Sequence, residues 1–87
     1  MTTTQRLARL ETAQELLGLL MAARAELIHN EGKKAQPDAS KILQWEAERS
    51  ELFDLEDSLR LDDSDGIERV ITIYGPQARE AFRREGE

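Results

Sequence analysis

The chain has 87 residues, with 18 acids against 12 Lys and Arg, a net charge of −6, one His and no Cys. A chain of that length makes one small domain with a thin core, and without Cys it has neither disulfides nor thiolate zinc sites to reinforce it. A single His argues against a His-rich metal site, and net acidity disfavours general binding to nucleic acid.

The charge is unevenly placed. Residues 1–36 hold five bases and four acids, residues 66–87 hold four of each, and residues 37–65 set three bases against ten acids. The whole excess of negative charge therefore belongs to the middle segment. The start of the chain, MTTTQRLARLETAQ, lacks the apolar core of a signal peptide. No run approaches the roughly 18 apolar residues of a membrane helix. The expectation is a soluble, cytoplasmic protein with no membrane contact.

The first predicted element is a helix from about Thr4 to about Glu31. Threonines ahead of Gln5 offer an N-cap, and Asn30 with Gly32 offers a stop. Leu7, Leu10, Leu17, Met21 and Ile28 share a face with Ala13, Leu20 and Leu27 at three- and four-residue spacing. Leu16 widens the stripe, Leu19 lies off it, and Arg24 sits near its middle. A stripe this wide predicts packing against two neighbours.

GKKAQPD, residues 32–38, is a predicted turn. Pro37 stands just before a second helix, expected over about 39–61 with Asp38 or Ser40 as its cap. Ile42, Trp45, Leu52, Phe53, Leu55 and Leu59 make its apolar side, while Glu46, Glu51, Asp54 and Asp57 face away. Amphipathicity thus explains why so many acids are threaded through so many large apolar residues. The short turn makes the two helices antiparallel neighbours whose facing positions sum to roughly 70. In that register Leu17 and Leu20 face Phe53 and Leu52, Arg24 falls near Glu46 and Glu48, and Arg6 and Arg9 approach Asp62, Asp63 and Asp65.

DDSDG, residues 62–66, is a loop. Ile67, Val70, Ile71 and Tyr74 follow at helical spacing, with Asp65 and Glu68 placed as a capping pair. VITIY also has strand propensity, but it has no second strand to pair with except across a dimer. The reading is a short helix over about 66–74, ended by Gly75-Pro76, and a last helix over about 76–85 with Pro at its first turn.

Candidate chemistry is sparse. Glu26-x-x-His29 has the spacing of di-iron bundle ligands, but both residues lie off the apolar stripe, so a surface His near the turn is the preferred reading. Glu48-x-x-Glu51 and Glu51-x-x-Asp54 resemble the helical carboxylate pairs that bind Mg²⁺ in all-α nucleotide pyrophosphatases. The first helix supplies no matching inward pair, and a solvated acidic face is preferred. Gly32-Lys33-Lys34 lacks the remainder of a phosphate loop. A helix-turn-helix over residues 67–84, with Gly75 at the turn and Arg79, Arg83 and Arg84 toward phosphates, meets a bulky Ile71 and the acids Glu80, Glu85 and Glu87. Arg24, Arg49 and Glu56 break otherwise apolar faces. Snorkelling explains them, with Arg49 lying on Trp45 and Glu56 pairing with Arg60, or they form a polar layer that fixes a dimer register.

The sequence therefore reads as all-α. A long antiparallel helical hairpin with short C-terminal helices packed across it would form a dimeric four-helix-bundle-like assembly. The subunit interface is expected at Leu16, Leu19, Met21, Arg24, Trp45 and Arg49. Function is expected to be non-enzymatic, without metal or cofactor. The predicted role is that of a small regulatory protein whose carboxylates Glu46, Glu51, Asp54 and Asp57 bind a protein partner with a basic surface, as an acidic inhibitor or antitoxin-like factor would. The alternatives are a DNA-binding regulator using the C-terminal segment and a helical metal-dependent nucleotide hydrolase.

Overall fold

The computed structural model describes residues 1–85, with side chains through Arg83. The side chains of Arg84 and Glu85 and all of Glu87, which figure in the C-terminal charge pattern above, lie outside the described set. The described residues form three helices and no strand: α1 (Thr3–Gly32), α2 (Ala39–Ser58) and α3 (Ser64–Glu85).

Each helix start has a local chemical cause. Thr2 and Gln5 form a reciprocal capping box on α1: the Gln5 N–H donates to Thr2 Oγ1 at 3.1 Å, and the Thr2 N–H donates to Gln5 Oε1 at 2.8 Å. Asp38 caps α2, accepting from the N–H groups of Ser40 and Lys41. For α3 the cap is Asp63, whose Oδ1 accepts from the Gly66 N–H at 3.0 Å. The expected Asp65–Glu68 pair does not cap this helix, because it begins a residue or two earlier and Glu68 is held elsewhere.

The hairpin tip is closed by a residue that sequence reading passed over. α1 ends without a left-handed glycine, since no described residue has a positive φ. Instead the Glu31 carboxylate, 5 % exposed, accepts from the Asp38 N–H at 3.0 Å and from Lys34 Nζ at 2.9 Å. The penultimate residue of α1 thus ties down the cap of α2, and the two helices return on each other.

Two expectations about helix ends are corrected. α2 stops at Ser58 rather than about residue 61, and Leu59 is extended. Ser58 Oγ donates to the Leu55 carbonyl, and Arg60 Nη1 donates to the carbonyls of Asp57 and Leu59, so side chains take up the terminal acceptors. Arg60 therefore serves the helix end and is not paired with Glu56. The predicted break at Gly75-Pro76 is absent, and α3 is one helix through both residues. The proline ring crowds both the N–H and the Cβ of the residue before it in a helix, and Gly75, having no Cβ, removes part of that conflict. The missing donor of Pro76 leaves the Thr72 carbonyl without its helical partner, and Thr72 lies on the exposed side of α3.

α1 packs against both other helices, whose backbones do not approach each other. α2 runs antiparallel to α1. α3 runs parallel to it, with Glu68 beside Arg9 and with Tyr74 and Gln77 beside Leu20. The two neighbours predicted by the wide stripe of α1 are thus helices of its own chain, and the C-terminal segment packs on α1 of the same chain. Ala13, Leu17, Leu20, Leu52, Ile67, Val70 and Ala78 form the buried core. Leu16, Leu19 and Met21, expected at a subunit interface, are half-buried against that core. The Cα extents of 53 × 27 × 16 Å describe an elongated, flattened molecule.

Candidate functional site: the outer face of α2

Leu52 and Phe53 are neighbours in sequence and point about 100° apart on a helix, so both cannot face α1. Leu52 shares its side with Trp45 and Leu59, seven residues either way, and is 8 % exposed. Phe53 shares its side with Glu46, seven residues earlier, and is 61 % exposed. The expectation that Phe53 fills the α1–α2 seam is therefore corrected.

This places an aromatic ring among carboxylates. Glu46, Glu51, Asp54 and Asp57 are all exposed, and none of the four carboxylates is in an ion pair with a described residue. Leu43, 66 % exposed, lies on the same outward side. Glu46, Arg49, Ser50 and Phe53 line, with Met21 of α1, an open depression of about 380 Å³. Glu51 is separated from this group: it turns to the opposite edge of α2, beside Glu48, Leu52, Tyr74 and Gln77. The structure thus brings together Glu46 and Phe53, flanked by Asp57, with Asp54 between the two edges.

Other candidates fall elsewhere. Arg24 Nε donates to Glu48 Oε2 at 3.2 Å, as the hairpin register predicts. Glu48 is therefore occupied, and among the described residues no group of three His, Cys, Asp or Glu side chains is placed to hold a metal ion. Glu26 and His29 are exposed. Trp45 is half-buried, and Arg49 is exposed along the depression. Arg9 does not reach Asp62, Asp63 or Asp65 but forks onto Glu68, with Nε and Nη2 each 2.7 Å from a carboxylate oxygen. That fork raises the Arg9 pKa through its hydrogen bond and charge, and it lowers that of Glu68. Because α3 runs unbroken through Gly75, the turn that a helix-turn-helix requires is missing.

The fold and this surface define a small all-α chain of three helices with an acidic, aromatic-bearing outer face. Among the described residues, no helix is long and apolar enough to cross a membrane. No family model, curated protein or solved structure matches the chain.

Proposed function

We propose that this is a small non-enzymatic regulatory protein that self-associates and binds a protein partner with a basic surface, in the manner of an acidic inhibitor or antitoxin-like factor. The observation that carries the reading is the exposure of Phe53 between unpaired carboxylates. Charge alone would serve solubility; what favours a contact surface is the grouping of Phe53 with Leu43 on the same side and an open depression beside the ring. Interfaces that bind tightly combine an aromatic anchor with a charged rim, and the anchor supplies most of the affinity. Here Phe53, with Leu43 on the same side, is the anchor, and Glu46, Asp54 and Asp57 form the rim.

The test is capture from native cell extract on the immobilised protein, identification of the bound protein, and measurement of its affinity for variants. Phe53→Ala and the double change Asp54→Asn with Asp57→Ser should each keep the helical circular dichroism spectrum and weaken binding. The effect of the charge pair should shrink at high salt, since exposed charges are screened beyond about 10 Å at 0.1 M. Unchanged affinity in both variants at low salt would refute the reading.

A further inference from the structure

The valley between α2 and α3 is the second open feature of the molecule. Both helices lean on α1 without their backbones meeting, and two adjoining depressions of about 320 and 230 Å³ run between them, with Tyr74 common to both. Leu52, Leu55, Val70 and Tyr74 form its floor, and Ile73 stands at its α3 rim, 49 % exposed. The rims differ in charge. The α2 rim carries Glu51 and, just outside it, Asp54. The α3 rim carries Arg69, exposed and in no described ion pair, level with Leu55, Ser58 and Leu59 across the valley; Asp63 also lines it, at the start of α3, with its carboxylate turned to the Gly66 N–H.

We infer that a second copy of this chain covers the valley, related by a two-fold axis that runs along it. This rests on the part of the proposed function that concerns self-association, not on partner binding by the α2 face. α2 and α3 are antiparallel, one with an acidic rim and the other with a basic residue. A two-fold axis parallel to both lays α3 of each copy over α2 of the other. Opposite rims then meet twice in one self-complementary contact. Levels along the valley are preserved by such an axis, so Arg69 of each copy comes to the Asp54–Ser58 stretch of the other and Ile73 covers Leu55. The two α2 and two α3 helices make a four-helix layer between two α1 helices, and the partly exposed Leu55, Ile73 and Tyr74 side chains are covered. The proposed interface is this valley, whereas Leu16, Leu19 and Met21 are half-buried against the chain's own core. Glu46, Phe53 and Asp57, around α2 from the valley, stay open to another partner, and Asp54, between the two edges, is shared by both faces.

Sedimentation of the full chain at micromolar concentration tests this. The wild type should sediment as a dimer and Ile73→Asp as a single chain. Arg69→Glu should weaken the dimer, and Arg69→Glu combined with Asp54→Arg should restore it, because every chain then carries both halves of the exchanged pair. Should Ile73→Asp lose its helical circular dichroism, the Arg69 variants carry the test alone, since that side chain is exposed. A wild-type monomer would overturn self-association altogether. A dimer indifferent to Ile73→Asp and Arg69→Glu would overturn the valley alone and leave binding by the α2 face to its own experiment.

Discussion

Arg9 and Glu68, 59 positions apart, meet in a two-pronged fork with both N···O distances at 2.7 Å. A guanidinium and a carboxylate match in this way geometrically, which gives direction as well as attraction. The fork sets the level at which α3 lies along α1. Both side chains are more than two-fifths exposed, so solvent screens much of the attraction.

Arg9→Lys should therefore lower the melting temperature slightly even though it keeps the charge, because an ammonium cannot make the paired contact. Glu68→Gln should do the same, and the double variant should lose less than the two single losses together. Thermal denaturation of all four proteins at low and high salt measures this coupling. Strict additivity at low salt would remove the fork from the account of stability.

The Glu31 carboxyl is held below the ordinary carboxylate range, first by the Asp38 N–H and then by the Lys34 ammonium. A depressed pKa in the folded state contributes stability above the unfolded value, near 4.3 for Glu, and that contribution is lost as pH falls through the folded value. The sign is the same for Glu68, held down by Arg9. Denaturation midpoints should thus be flat near neutrality and drop on acidification below the ordinary Glu range. Glu31→Gln should lower the neutral-pH midpoint and flatten part of the acid drop; an unchanged acid profile would contradict the clasp.

Leu17 is fully buried, whereas Phe53 is mostly exposed. Leu17→Ala should cost about 2–5 kcal/mol, the usual range for emptying a packed leucine site. Phe53→Ala should change stability by less than about 0.5 kcal/mol, as surface changes do. Chemical denaturation compares them directly, and a similar cost for both would return Phe53 to the core.

Two helical glycines should respond oppositely to alanine. A Cβ at Gly18 meets nothing within 4 Å, so Gly18→Ala should gain up to about 1 kcal/mol of helix propensity. A Cβ at Gly66 would collide with the Asp63 carboxylate that caps α3. Gly66→Ala should forfeit that gain, because an N-cap is itself worth about 0.5–2 kcal/mol. Equal stabilisation by both substitutions would mean that Asp63 is not needed at the cap.

Sequence alone determined what acts over one or two turns of chain. Helical periodicity, a threonine cap ahead of Gln5, a cap at Asp38 or Ser40, the turn after Gly32 and the approach of Arg24 to Glu46 and Glu48 all follow from neighbours in sequence or from a short hairpin that fixes its own alignment; the structure chose Thr2, Asp38 and Glu48. The identity of the α2 acids was equally plain, though not that Glu51 turns to the opposite edge from Glu46. Tertiary structure decided the rest. Phe53 reads as core in a list of apolar residues, and only the choice of Leu52 as the side facing α1 turns it outward. Glu68 reads as a cap until α3 lies parallel to α1 and brings it to Arg9. The two neighbours of the α1 stripe could be any two helices, since an apolar face specifies burial but not what buries it; continuous passage of α3 through Gly75-Pro76 makes a helix long enough for its own chain to supply the second.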